Sequence, residues 1–282
     1  MIMKKLFTLV VLFAATLAVN AQTVTNAGEE GANNPYIKSN PIKTTDHVYG
    51  VYLGDESRAA LGITDAQYTY IGADAEAGRP QYNWDTTSTI AENTDINSYG
   101  VTGENLKFVA GTSGWSGWGV NVSAATPIDL TGITSNYKLH FSVRTTKMDA
   151  GGDFKIGMIE GVGQDGVGVL FDLSKMGIAA DGSWYNVDIS CADLLDLYGL
   201  DFTTATYKTF AKKNLIWWLF GMKGNNLQMD SFFFYGPPTS TGITNVQTKA
   251  QNDDVLYNLA GQRVAKGTKG ILIQNGRKIV VK

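Results

Sequence analysis

Residues 214–236 read NLIWWLFGMKGNNLQMDSFFFYG, with Trp217, Trp218, four Phe and Tyr235 inside 23 positions. Successive side chains of a strand point to opposite faces, so the adjacent Trp217 and Trp218 cannot share one. Leu215, Trp217 and Leu219 form one row; Ile216, Trp218, Phe220 and Met222 form the other. With both rows apolar, this strand is expected to be central in its sheet and covered on both sides. One of the two Trp then belongs to the core, and the other to the outer face of the sheet or under a loop. Lys223-Gly224-Asn225-Asn226 supplies a turn. A second strand follows, in which Leu227, Met229, Phe233 and Tyr235 alternate with Gln228, Asp230, Phe232 and Phe234. The stretch reads as mostly core.

The same grammar extends upstream. VYGVYL from Val48, SYGVTGENLKFVAG from Ser98 and WGVNVS from Trp118 are short strands separated by Gly, Asn and Ser. In YKLHFSVRT, Leu139, Phe141 and Val143 face one way, while Lys138, His140, Ser142 and Arg144 face the other, which predicts a half-buried strand with one wet face. FKIGMIEG and VGVLFDL make the next pair. SWYNVDIS sets Tyr185, Val187 and Ile189 against Trp184, Asn186 and Asp188. CADLLDLYG and TYKTFAKK are helical turns too short to build a layer. Strands arriving without long helices between them predict an all-β antiparallel sandwich with one or two short helices.

The ends follow a different logic. Residues 1–21 hold Lys4 and Lys5, an apolar run from Leu6 to Leu17, and the small Ala21, the pattern of a cleaved secretory signal. Residues 22–45 are polar and turn-rich, a flexible leader. The sandwich is expected over 46–236, a linker over 237–250, and a separate tail over 251–282 with a small β-hairpin at Asn275-Gly276. No later apolar run reaches the roughly 20 residues of a membrane helix, so no transmembrane segment is expected in the mature chain. The chain has 32 Gly, 13 Tyr, 12 Phe and 6 Trp against 6 Pro, which suits short strands and tight turns.

Charge and cysteine usage narrow the function. Of the formal net charge of −3, the first 21 residues carry +2 and the last 32 carry +4, which leaves −9 on residues 22–250. Such an acidic body offers no basic stripe to displace phosphate counterions, so nucleic acid is not an expected partner. With Cys191 alone and only His47 and His140, neither an intrachain disulfide nor a Cys/His zinc site is expected.

Gly161-Val-Gly163-Gln-Asp-Gly166 matches a dinucleotide fingerprint, but a strand-like VGVLFDL follows where a helix would be needed, so a hairpin loop is expected. Glu160, Asp172, Asp188 and Asp230 are available carboxylates without a pairing pattern. The aromatic residues are more informative. Tyr82, Trp84, Trp115, Trp118 and Trp184 lie beside Gly, Asn, Ser or Asp, as at turns and strand ends. Sugars stack their C–H faces on such rings while neighbouring polar groups bind the hydroxyls. The stacking candidates are Trp115, Trp118 and Trp184, and the polar candidates are Asn121, Asn186 and Asp188. Packing of these rings against the sandwich edges is the alternative.

Read in order, PIDLTGITSNYKLHFSVRTT, SWYNVDISCADL, NLIWWLFG and LQMDSFFFYG resemble the jelly-roll carbohydrate-binding modules over residues 100–236. The resemblance implies a jelly-roll sandwich, a glycan partner, and a structural calcium with Asp230 at the matching ligand position. The ending YNLAGQRVAKGTKGILIQNGRKIVVK resembles the C-terminal sorting tails of secreted Bacteroidetes proteins, which implies recognition by outer-membrane secretion machinery. Asp85-Thr86-Thr87 resembles a short O-glycosylation acceptor of that phylum.

The reading that follows is an exported protein of the cell surface, medium or periplasm that binds glycan and catalyses nothing. A structural or adhesive surface protein without a sugar site is the alternative, distinguished by burial of Trp115, Trp118 and Trp184. A glycoside hydrolase is the third reading, and it needs two carboxylates facing across a groove.

Overall fold

The computed structural model describes residues 23–26, 40–83, 85, 87–93, 95–112, 116–123, 125–148, 155–158, 169–210, 215–221, 225–238, 256–257, 263–265, 268–274 and 277–281; for 92–93, 155–158, 169–170, 172, 198, 206, 215–221, 257, 263, 270–274 and 277–279 it describes the backbone. The chain divides into two compact units, Met1–Pro238 and Thr239–Lys282.

In the first unit the strands run β1 (Thr23–Asn26), β2 (His47–Tyr52), β3 (Tyr68–Tyr70), β4 (Gln81–Asn83), β5 (Thr89–Asn93), β6 (Asn105–Val109), β7 (Ser116–Asn121), β8 (Lys138–Lys147), β9 (Lys155–Met158), β10 (Val169–Asp172), β11 (Tyr185–Ser190), β12 (Leu215–Gly221) and β13 (Asn226–Gly236). Helix α1 spans Asp55–Ala60 and α2 spans Cys191–Tyr198. Among the described residues, β1-β11-β8-β13-β2-β3 form an eight-stranded sheet with β5 and β6, and β10-β9-β12-β7-β4 form a five-stranded one. β2 and β3 pair in parallel; the other described pairs are antiparallel.

The two sheets share one core. Trp118 and Val120 of β7 and Phe171 of β10 enter it from one side. Phe141 and Val143 of β8, Val187 and Ile189 of β11, and Phe232 and Phe234 of β13 enter from the other. Phe141 and Phe171 meet with ring centroids 6.2 Å apart. The result is an all-β sandwich of jelly-roll type with two short α-helices. Helix α2 starts where the Ser190 hydroxyl accepts the Ala192 N–H and stops at Gly199, whose φ of 66° is open to glycine.

Four expectations change. The first concerns the leader. Its Thr23–Asn26 pairs with β11 as an edge strand instead of remaining free, because Thr-Val-Thr can satisfy the open edge of β11. Second, helix α1 lies outside the two helical turns expected at CADLLDLYG and TYKTFAKK. Third, the middle of the outward row of β8 is dry, although Lys138 is exposed and Arg144 half-buried as expected. His140 and Ser142 are fully buried, since Val48, Leu53, Leu61, Ile63, Phe233 and Tyr235 build a second apolar cluster on the face away from the shared core.

The fourth concerns β13. Ser231 has a φ of 59°, and the pairing of β13 with β8 shifts between Asp230 and Phe233. One residue is absorbed in a bulge, and the alternation reverses beyond it. Phe232 and Phe234 therefore join Leu227 and Met229 in the shared core, while Phe233 and Tyr235 join the second cluster. Strict alternation from the sequence assigns these four aromatics to the opposite faces.

In the second unit, β14 (Leu256–Tyr257), β15 (Arg263–Val264), β16 (Gly270–Gln274) and β17 (Arg277–Val281) form an antiparallel sheet in the order β15-β14-β16-β17. Gln274 pairs with Arg277 across the expected Asn275-Gly276 turn, which itself lies outside the described residues. Among the described residues no helix is long and apolar enough to cross a membrane.

Candidate functional site

Of the six sequence candidates, Asn186 and Asp188 fall on one face of β11 and Trp184 immediately precedes that strand in the same row, as the alternation predicts. Register carries that face across β8 and β13. Asp188 pairs with His140 and His140 with Phe233; Asn186 pairs with Ser142 and Ser142 with Asp230. This is the face covered by the second apolar cluster, and its polar groups bond to one another. His140 Nδ1 lies 3.1 Å from Asp188 Oδ1, which also accepts the Tyr235 hydroxyl at 2.9 Å. Ser142 Oγ donates to Asn186 Oδ1 at 2.9 Å. Burial works to raise the Asp188 carboxyl, but the hydrogen bond and charge of His140, with the Tyr235 hydroxyl, hold it below the usual carboxylate range.

Trp184 has no exposed surface, and the Arg144 guanidinium sits 5.0 Å from its ring centroid. The ring is stacked by the protein and offers no face to a sugar. Asn186 is likewise buried. The two therefore act in packing, on a face that the sequence leaves open.

Asp230 does not fit a calcium ligand. Its carboxylate is fully buried and accepts Ser57 Oγ at 2.9 and 3.1 Å, Ser98 Oγ at 2.6 Å and the Ser98 N–H at 3.2 Å. These partners donate protons, whereas calcium requires six to eight oxygen lone pairs directed at it. Among the described residues no group of three or more His, Cys, Asp or Glu could hold a metal. Burial pushes the Asp230 carboxyl up, against the hydrogen bonds of Ser98 and Ser57. Its role is to tie α1, through Ser57, to the middle of the sheet.

The pairing of His140 with Asp188 has the spacing of a base and its orienter, yet His140 is fully buried and its Nε2 faces the Tyr99 hydroxyl at 3.5 Å. Asp188 and Asp230 belong to this covered ladder and do not face each other across a groove. Burial pushes the Cys191 thiol up, which suppresses the thiolate needed for nucleophilic work. Glu160 and the G-x-G-x-x-G loop lie outside the described residues. β9 and β10 pair antiparallel on either side of that loop.

Trp118, Trp115 and Asn121 belong to the other sheet. Trp118 is 2 % exposed in the shared core, with its indole N–H donating to Gln81 Oε1 at 3.1 Å, so its ring is also unavailable for stacking. The reason is strand phase: alternation along β7 turns Trp118 and Val120 inward and Gly117, Gly119 and Asn121 outward. Trp115 lies outside the described residues. Asn121 is half-buried on the outward face.

That outward face carries a feature the sequence alone does not reveal. Tyr82 of β4 pairs with Gly119 of β7, Gly119 with Trp218 of β12, and Trp218 with Gly157 of β9. β12 is the middle strand of the five, as expected for the Trp-Trp strand. Trp218 thus occupies a position whose neighbours on both adjoining strands have no side chain. Tyr82 is 43 % exposed at the end of the row. The pairings depend on strand order, which no local sequence signal encodes.

A second opening lies at the β2–β3 edge of the eight-stranded sheet. It is a cleft of about 260 Å³ lined by Tyr52, Leu53, Gly54, Asp55, Tyr68, Tyr70 and Glu104. Tyr68 and Tyr70 stack with centroids 6.5 Å apart. Alternation along β3 turns both rings to one side.

No family model matches the chain, and no curated protein matches it. Among solved structures it is similar to the family 30 carbohydrate-binding module of a cellulosomal cellulase of Clostridium thermocellum, with 17% identity over 56% of this chain and 90% of that one, at a TM-score of 0.37. It is similar to the extra C-terminal domain of an exo-1,3/1,4-β-glucanase from a Pseudoalteromonas species, with 12% identity, 55% and 73% coverage and a TM-score of 0.35. A third is SGBP-B from a complex xyloglucan utilization locus in Bacteroides uniformis, with 12% identity, 55% and 46% coverage and a TM-score of 0.33.

Proposed function

We propose that this protein is a non-catalytic, exported glycan-binding module whose ligand lies on the outward face of the five-stranded sheet. The observation that carries the reading is the row Tyr82, Gly119, Trp218, Gly157. The glycines paired with this aromatic position, of which Gly119 is buried, set no side chain beside it. Asn121, on the same face of β7 as Gly119, offers amide hydrogen bonds to hydroxyls. Export rests on residues 1–21, and the tail from residue 251 is the element proposed to engage outer-membrane secretion machinery.

The test is a glycan array on the full chain, followed by titration of the best glycan against Trp218→Ala and Tyr82→Ala. Taking base–aromatic stacking as a rough analogue, loss of a stacked ring weakens binding by about 1–3 kcal/mol, or roughly 5- to 150-fold. An empty array, or wild-type affinity in both variants, overturns the reading. The burial of Trp118 and Trp184 favours the second reading, a structural or adhesive surface protein without a sugar site. That reading predicts the empty array.

A further inference from the structure

We infer that Asp85 is a positioning residue: it staples together the two chain segments that cross between the sheets beside β4, and so holds β4, with Tyr82, against β7. Its bearing on a ligand rests on the sheet-face reading; the staple itself rests on hydrogen bonds.

β4 is the weakly held element of that face. It has three residues, all exposed, and among the described residues it pairs with β7 alone, at the edge of its sheet. Burial does little for such a strand, which opens before the sheet behind it does. Tyr82 serves as one end of a row only while it stays in register with Gly119 and, beyond it, Trp218. Both ends of β4 therefore need a tie other than apolar packing.

The entry end is tied mainly by backbone. The Asn121 N–H donates to the Pro80 carbonyl at 3.1 Å, and the Ser123 N–H to the Gly78 carbonyl at 2.9 Å. The Trp118 indole N–H adds its bond to Gln81 Oε1. The exit end is tied by side chains. After Asn83 the chain leaves for β5 in the eight-stranded sheet, and from β6 it crosses back to β7. Asp85 lies in the first crossing and is buried. One of its carboxylate oxygens accepts the Thr87 N–H at 2.9 Å and the Thr87 hydroxyl at 2.8 Å. The other accepts the hydroxyl of Ser116, the first residue of β7. The bonds continue into the second crossing: Thr87 Oγ1 accepts the Thr112 N–H, and Ser116 Oγ accepts the Gly111 N–H, each at 2.8 Å. A Cβ on Gly111 would stand 2.4 Å from Asp85 Oδ2, so only glycine lets the two crossings lie this close.

A carboxylate suits this junction because its two oxygens accept several charge-assisted bonds at once. Without it, the donors of Thr87 and Ser116 lose their shared acceptor. The entry end stays tied, so the loss falls on β4 and on the placement of Tyr82.

The experiment uses the full chain and has two arms. The first needs no ligand: amide hydrogen exchange in Asp85→Ala and in Ser116→Ala, which cuts one branch of the staple and serves if the first variant does not fold. Exchange over residues 81–83 should rise about tenfold or more, while β9 and β12 of the same sheet keep wild-type rates. Wild-type exchange over 81–83 overturns the inference. A rise shared by β9 and β12 also overturns it, because Asp85 then stabilises the fold without a particular hold on Tyr82.

The second arm is a double-mutant cycle with the array-selected glycan. Asp85→Ala should weaken binding about fivefold or more on the wild-type background and add no loss on the Tyr82→Ala background, since its effect passes through that ring. Wild-type affinity in Asp85→Ala, or a loss that persists in Tyr82→Ala, overturns the inference and leaves the sheet-face reading intact. An empty array combined with loosening confined to β4 sinks the sheet-face reading and supports the staple.

Discussion

Trp184→Ala tests whether that residue is part of the core. The indole is fully buried against β8, under the Arg144 guanidinium. An aromatic side chain buries about 200 Å², which at about 25 cal/mol per Å² corresponds to roughly 5 kcal/mol of transfer free energy. Truncation in a packed site is therefore expected to cost about 3–5 kcal/mol. For a unit of this size each kcal/mol moves the melting temperature by about 2–4 °C, so the expected fall is roughly 6–20 °C. Trp184→Phe is the informative companion. The indole N–H is buried without a partner among the described residues, and Phe removes that donor while keeping most of the ring, so its cost should stay near or below about 2 kcal/mol. Thermal denaturation followed by near-ultraviolet circular dichroism measures both variants, and titration with an array-selected glycan runs in parallel. A Trp184→Ala protein that melts within about 2 °C of wild type and has lost glycan binding would refute the packing argument and restore Trp184 as a stacking residue.

Asp230→Ala should destabilise by about 1–3 kcal/mol for each buried donor it strands at Ser57 and Ser98, and neither calcium nor a chelator should move the wild-type melting temperature; a fall on chelation would reinstate a bound ion. Because the Asp188 carboxyl is held below its unfolded value, its stabilising contribution is complete above about pH 4 and is lost as pH falls through the folded value. The melting-temperature gap between wild type and Asp188→Asn should therefore narrow between about pH 7 and about pH 3, and a constant gap counts against the His140 pairing. Ser231→Gly should be tolerated, whereas Ser231→Val forces a β-branched residue into positive φ and should cost at least about 1–2 kcal/mol; equal stability of the two would argue against the bulge. Deleting residues 239–282 removes a separate compact unit and should leave the main melting transition cooperative.

The sequence by itself determined the strand content, the antiparallel character and most of the core. Alternation in Leu139, Phe141, Val143 and in Tyr185, Val187, Ile189 is a property of two-residue periodicity, and all six side chains enter the shared core. It also put Trp184, Asn186 and Asp188 on one face and Trp218 in a central strand, because a face follows from backbone geometry alone. What covers that face does not. His140, Ser142 and Trp184 stand beside polar neighbours and read as solvated, yet the second apolar cluster shares the face of His140 and Ser142, the Arg144 guanidinium sits over Trp184, and hydrogen bonds from Ser57 and Ser98 to Asp230 bridge more than a hundred residues of chain. Local phase failed at Ser231 for a related reason: one residue at φ 59° reverses four aromatics, and Ser carries no signal for positive φ as glycine does. Both candidate surfaces are likewise tertiary. Tyr82, Gly119, Trp218 and Gly157 come from four strands scattered along the chain, and Glu104 shares a cleft with Asp55 and Tyr70 only through the meeting of α1, β3 and the loop before β6. Periodicity is written in neighbouring residues; strand order and burial are set by contacts between distant ones.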